Sequence, residues 1–175
     1  MNAFSPDQSS LPFSSDELLE VLRGWGLEYD LYSHCPLKTV EDAKMIEPTT
    51  FRDGKAVLRI KNLYLRDKKK RNYLVTLEQD RVIDLKDFGA KLKVGNLSFG
   101  SPGRLLEFLG VSPGAVTPLA MINGSRHGVR FFMDDALLLA DWIYMHPLVN
   151  DRTIAMKRAD VLTFFERINA KPEWI

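Results

Sequence analysis

The stretch Ile60-Lys61-Asn62-Leu63-Tyr64-Leu65 sets a lysine and an asparagine inside a run with the β-branched and aromatic content of a strand. Successive strand side chains point to opposite faces, so whichever face meets the core brings one of these polar groups with it. A lysine drawn partly out of water has a lowered pKa or keeps its charge by meeting an anion. Either state suits a site that holds a phosphate, a carboxylate or a developing oxyanion. The other reading of Lys61 is a stem that snorkels along the sheet to solvent. Asn62 in turn marks either a polar group delivered to such a site or a local β-bulge.

Five positive charges and one negative follow directly in Arg66-Asp67-Lys68-Lys69-Lys70-Arg71. A run of this kind is a solvated hairpin tip or a contact to a phosphate backbone. The histidines, His34, His127 and His146, are far apart in sequence and lack a Cys or carboxylate at metal-ligand spacing, so no metal site is expected. His146-Pro147 reads as a turn or as a site histidine, and the residues alone favour the turn. Cys35 next to His34 is poorly arranged for Cys–His catalysis, because strand neighbours diverge, and is expected to be a small packing residue. No GxxxxGK[ST], no GxGxxG opening a helix and no GxSxG occurs. Cofactors are therefore expected to be none, and a nucleophile-elbow hydrolase has no support.

The chain that must position these groups has 175 residues, 45% hydrophobic and 27% charged, as in an ordinary soluble domain. The formal net charge is +1, so any nucleic-acid role must rest on a local patch. A lone cysteine favours a reducing compartment. The opening residues lack the charged and apolar regions of a secretory signal, and no apolar run approaches a membrane span, so no membrane association and a cytoplasmic location are expected.

Residues 1–13 are expected to form a flexible tail and 14–175 a single domain. Ser14-Ser15-Asp16-Glu17 has capping-box spacing, with Leu18, Leu19, Leu22 and Trp25 following at helical intervals and Gly26 as the stop. A strand over 28–34 and a short helix from Thr39 to Ile46 come next. Strands over 55–65 and 72–77 flank the basic run as a hairpin. Helices are expected over 84–92, over 101–110 with Ser101-Pro102 as cap and first position, and from Asp134-Asp135 through Trp142. Strands over 116–122 and 129–133 around Asn123-Gly124, a strand over 153–156 and a helix over 160–168 complete the pattern. The fold class is α+β (mixed α/β), with a mixed or mainly antiparallel sheet.

Four separated stretches, His34–Asp42, Ile60–Asp67, Gly95–Asn123 and His146–Asp151, together resemble one family in the right order. HCPLKTVED, IKNLYLRD, the LSF…LGVSPGAVTP…IN segment and HPLVND are similar to the motifs of the YbaK/prolyl-tRNA-synthetase-associated editing domains. The nearest subgroup is the free-standing ProX-like deacylases that clear alanine from tRNA for proline. The lead into Leu97-Ser98-Phe99 departs from the family pattern, since VGNLSF is shorter than the relatives' G-S-G-[RK] lead.

The resemblance implies a curved, mainly antiparallel mixed sheet or barrel surrounded by helices. It implies hydrolysis of the ester of a mischarged tRNA, most specifically Ala-tRNA(Pro), with prolyl-tRNA synthetase as a further partner. It makes Lys61 the catalytic residue and Asn62, Ser98, Gly100, Gly114, Thr117 and His146 substrate-binding. Lys68, Lys69, Lys70 and Arg71 would approach the tRNA. An aminoacyl ester is already activated, so a missing triad and a missing metal are consistent with this chemistry. The alternatives are a deacylase for Cys- or Ser-charged tRNA, or a non-catalytic nucleic-acid-binding module on the same fold.

Overall fold

The structure, a computed structural model, describes residues 11–37, 42, 51–52 and 55–175. The short helix expected from Thr39 lies outside the described residues. Helix α1 (Ser15–Gly24) starts at the capping box. The Ser14 hydroxyl accepts from the Glu17 N–H at 3.2 Å, and the Glu17 carboxylate accepts from the Ser14 N–H at 2.7 Å. Its Leu18, Leu19 and Leu22 are buried, each stabilising the fold by about 1.5–3 kcal/mol.

Among the described residues nine strands form one sheet. They are β1 (Tyr29–Ser33), β2 (Phe51–Arg52), β3 (Lys55–Arg66), β4 (Asn72–Glu78), β5 (Ser98–Phe99), β6 (Arg130–Met133), β7 (Trp142–Met145), β8 (Arg152–Lys157) and β9 (Glu173–Trp174). The order is β1-β8-β7-β3-β4-β6-β9, with β2 and β5 also paired to β3. Five of the eight pairings are antiparallel, which makes the sheet mixed and mainly antiparallel as expected. Among the described residues its ends, β1 and β9, do not pair, so the sheet is open rather than closed into a barrel.

The twelve-residue β3 is the spine, and its two faces pack into different clusters. Leu58, Ile60 and the buried Tyr64 meet the main core, with Leu74 and Met133 from neighbouring strands and Leu105, Leu109, Phe164 and Phe165 from helices. Those helices are α3 (Pro102–Leu109) and α5 (Arg158–Arg167). On the opposite face Leu63 and Leu65 join Tyr73, Val75, Leu77 and Phe88 of α2 (Leu85–Lys91), while Val57 joins Tyr144 and Ala155. Pairing of β3 with β4 runs without a break from Ile60↔Glu78 to Arg66↔Asn72. There is no bulge at Asn62, so the patterning is that of a strand buried on both faces.

Two expected elements differ. The segment over 116–122 is helical: a 3-10 turn at Pro118–Ala120 leads into α4 (Met121–Gly124). Pro118 has no N–H for a ladder and suits the first turn of a helix, and the Thr117 hydroxyl caps it by accepting from the Leu119 N–H. Asn123-Gly124 is accordingly not a hairpin turn; the Asn123 amide donates to the Leu109 carbonyl at 3.2 Å, closing the end of α3. The run after Asp134 is only a 3-10 turn at Asp135–Leu139, and Trp142 opens strand β7 instead of ending a helix. Cys35 is exposed and so is not the packing residue expected.

Candidate functional site

Lys61 and Asn62 sit where the edge of β3 changes neighbour. Along that edge β3 pairs with β7 over Val57–Arg59 and with β5 over Leu65–Arg66. Among the described residues no strand covers 60–63 between them, and Lys61 and Asn62 lie at this interruption.

Lys61 is half-buried, on the face that carries Val57 and Leu63. Among the described residues its ammonium has no hydrogen-bond or ion-pair partner. Arg59 is level with Tyr144 in the parallel β3–β7 pair, and Lys61 and His146 each stand two residues further on. His146 lies on the same side of the sheet. Its ring centroid is 6.2 Å from that of His34, and His34 Nε2 is 2.8 Å from the Thr153 hydroxyl. Thr153 pairs with Tyr32, whose ring packs edge-on against Tyr144 of the Val57 cluster.

The carbonyl partners place a proton on Nδ1 of both rings. His146 Nδ1 is 2.8 Å from the Arg152 carbonyl, which can only accept, so this nitrogen carries the proton and Nε2 keeps a free lone pair. Burial pushes the His146 pKa below its ordinary value, and the neighbouring His34 acts in the same direction. The Arg152 carbonyl and the charge of Asp151 oppose without reversing it. His146 is therefore a neutral acceptor near pH 7. His34 Nδ1 likewise donates to the Cys35 carbonyl at 2.8 Å, and its Nε2 lies 2.8 Å from the Thr153 hydroxyl. Asp151 is 7% exposed, and its Oδ1 has no partner among the described residues.

Asn62 faces the other way, into the main core. Its amide N–H donates to the Val116 carbonyl at 3.0 Å, and its Oδ1 accepts from the Thr76 hydroxyl at 2.7 Å. Asn62 thus ties β3 and β4 to the loop 112–117 instead of sharing a face with Lys61. Thr117 in that loop is fully buried in its capping role. Gly114 has φ +85°, and a Cβ there would lie 3.2 Å from Asn150 Nδ2, which itself donates to the Leu37 carbonyl. The loop is thereby brought beside the segment that follows His146.

Ser98 pairs with Arg66 and is exposed on the face away from Lys61. Gly100 lets the chain lie flat on Tyr64: its N–H donates to the Tyr64 carbonyl at 2.9 Å, and a Cβ would sit 2.3 Å from the Tyr64 ring. Burial raises the Tyr64 pKa, so its hydroxyl stays a donor, and it donates to Asn72 Oδ1 at 2.8 Å.

The basic run is the β3–β4 turn, about six residues along the strand from Lys61. Lys68, Lys69 and Lys70 are exposed at its tip. Arg71 instead turns back to the buried Asp67, whose carboxylate accepts from the Arg71 N–H at 2.9 Å, the Arg71 guanidinium at 2.7 Å and the Tyr73 hydroxyl at 2.9 Å. Burial pushes the Asp67 pKa up, but these bonds outweigh it and hold the carboxyl below its ordinary value. The tip thus presents three lysines, with Arg71 occupied in shaping it.

The register places Lys61 and His146 on the same side of the sheet with His34 beside His146, whereas the 112–117 loop is tied to Asn62 on the opposite face and meets the segment after His146 through Gly114. His34 was missed as a site residue because its partner is 112 positions away in sequence; its place at the head of the HCPLKTVED motif was the available signal. A cavity of about 640 Å³ lined by Arg23, Leu27, Tyr29, Asp30 and Trp142 opens at the other end of β1 and β7 and contains none of these groups. Among the described residues no cluster of three metal-ligating side chains occurs, and no helix is long and apolar enough to cross a membrane.

The profile of the aminoacyl-tRNA editing domain matches residues 34–164, and the chain belongs to that family. Among its relatives, prolyl-tRNA synthetase associated domain-containing protein 1 of Mus musculus is 40% identical over 117 residues, covering 64% of this chain and 69% of that protein. Its Danio rerio counterpart is 33% identical over 158 residues, covering 89% and 83%. The prolyl-tRNA editing protein ProX of Acetoanaerobium sticklandii is 32% identical over 136 residues, covering 77% and 80%. A crystal structure described as a candidate trans-editing enzyme for prolyl-tRNA synthetase shares the fold, with a TM-score of 0.64 at 17% identity over 98% of this chain and 97% of its own.

Proposed function

We propose that the protein is a trans-acting aminoacyl-tRNA deacylase whose preferred substrate is Ala-tRNA(Pro). One observation carries this reading within the editing-domain family: among the described residues a half-buried lysine without a partner sits at a break in the sheet edge, on the same face as a neutral histidine with a free lone pair. An ester needs no protein nucleophile. Water adds to the carbonyl, the bond to the ribose oxygen breaks, and that oxygen leaves with a proton as the free hydroxyl. The Lys61 ammonium supplies positive charge to the developing oxyanion. His146 Nε2 accepts a hydrogen bond from the water or from the substrate. Small size is selected by steric exclusion, and an apolar pocket discriminates by about 1–3 kcal/mol per methylene. The Lys68–Lys70 tip supplies salt-dependent attraction to the tRNA backbone. The relatives named for prolyl-tRNA editing support proline as the tRNA identity, and the synthetase as a partner.

The test is hydrolysis of tRNA(Pro) charged with alanine, cysteine or serine, by wild type and Lys61→Ala. Alanine release should dominate, and the variant should lose about 100- to 1,000-fold in kcat, as when one oxyanion donor is removed. Equal rates in both proteins would remove Lys61 from its role, and wild-type inactivity on every substrate would overturn the deacylase reading.

A further inference from the structure

Phe99 is 64% exposed, although it sits on a strand rather than a loop. It pairs directly with Leu65, so the two side chains share one face of the sheet. Leu65 and Lys61 are four residues apart on β3 and share that face too. Phe99 is therefore about 13 Å along the strand from the proposed reaction centre. The apolar cluster that covers Leu65 and Leu97, with Phe88 of α2, stops short of it. Its backbone is held firmly by the Gly100 bond to Tyr64 and by Tyr64's bond to Asn72, which Arg104 also contacts at 2.7 Å.

Lysines stand on the chain that leads into this strand. The stem of Lys68 runs past Gly95, within 3.9 Å of where a Cβ would be, and Lys91 and Lys93 are exposed on the same stretch of chain leading into β5. An exposed aromatic ring on a fixed backbone, with lysines on the adjoining chain, is a combination that proteins use to hold unpaired nucleotides, whose bases stack on the ring while phosphates meet the charges.

Resting on the deacylase reading, we infer that Phe99 is a stacking platform for an unpaired base of the tRNA 3′ end, just upstream of the esterified adenosine. It positions the acceptor strand so that the ester reaches Lys61, and it favours no particular amino acid.

The experiment compares wild type, Phe99→Ala and Phe99→Trp on two substrates: alanyl-tRNA(Pro) and an alanyl ester of adenosine alone. Phe99→Ala should lose roughly 10- to 100-fold in kcat/KM on the charged tRNA, the loss expected for one base stack, and nothing on the adenosine ester. Phe99→Trp should restore the tRNA reaction. A second readout uses an uncharged acceptor-stem hairpin with 2-aminopurine in its single-stranded 3′ end. Wild type and Phe99→Trp should quench the fluorescence, and Phe99→Ala should not. Wild-type rates and quenching in Phe99→Ala, or equal losses on both substrates, would overturn the inference while leaving the deacylase reading intact. Phe99-dependent quenching with no hydrolysis by wild type would uphold the stack and remove the deacylase reading.

Discussion

Replacing Asn62 by leucine separates two roles for this residue. A carbonyl can only accept, so the Val116 oxygen fixes the Asn62 N–H₂ toward the loop and leaves Oδ1 for the Thr76 hydroxyl. Leucine has similar bulk and fits a face already lined by Ile60 and Tyr64. The change nevertheless strands two groups. The Thr76 hydroxyl is fully buried, and the Val116 carbonyl lies in a half-buried loop. Leaving a buried polar group unmade costs about 1–3 kcal/mol, and the extra apolar burial of leucine offsets part of the pair. The expected net loss is about 3 kcal/mol, which lowers Tm by roughly 6–12 °C in a chain of this size. Differential scanning calorimetry with Asn62→Leu, Thr76→Val and the double variant measures it. The double variant should lose about 1 kcal/mol less than the two single losses added together, because it no longer strands the hydroxyl. A Tm unchanged in Asn62→Leu, with kcat/KM lowered, would refute the tethering role and make Asn62 a substrate contact.

Two further outcomes follow from the site. The His146 pKa is lowered in the folded chain, so below about pH 6.5 the unfolded chain binds the proton more readily, and stability falls with pH by up to about 1.4 kcal/mol per unit. Urea denaturation at pH 7.5 and 5.5 should show this loss in wild type and a smaller one in His146→Gln; identical pH dependence in both would contradict it. Gly100→Ala should force the Tyr64 ring aside, break its bond to Asn72 and lower kcat/KM for charged tRNA together with Tm. A variant with native Tm would show that the ring has room to move.

The sequence was most legible where local chemistry alone sets the structure. Ser14-x-x-Glu17 and Ser101-Pro102 mark helix starts because the caps lie within three residues of the N–H groups they satisfy. The β3–β4 hairpin was visible for the same reason, since a polar run separates two strand-like runs. The 116–122 segment misled because its apolar residues are buried all round, and such a run has no period to tell helix from strand; Pro118 after a capping threonine was the better guide. Trp142 is expected to end a helix, and strand β7 is not expected from local pattern, because its parallel partners lie 85 positions away on β3. The same holds for the site. Lys61 stood out from the pattern of one strand, but its separation from Asn62 onto opposite faces depended on an unbroken register. The His34–His146 pair depended on β8 lying between β1 and β7.

The unbroken register of β3 also sets where this gene can change length. Strand faces alternate with every residue, so one residue inserted between 60 and 66 would turn Lys61 and Asn62 over relative to everything beyond the insertion, breaking either the site or its tether. At the lysine-bearing tip, 68–70, the same insertion only lengthens a solvent-exposed turn, whose added closure entropy is a fraction of a kcal/mol. Homologous chains should therefore vary in length at the tip and keep an invariant residue count from Ile60 to Arg66, a spacing that can be read without any conservation of side chains.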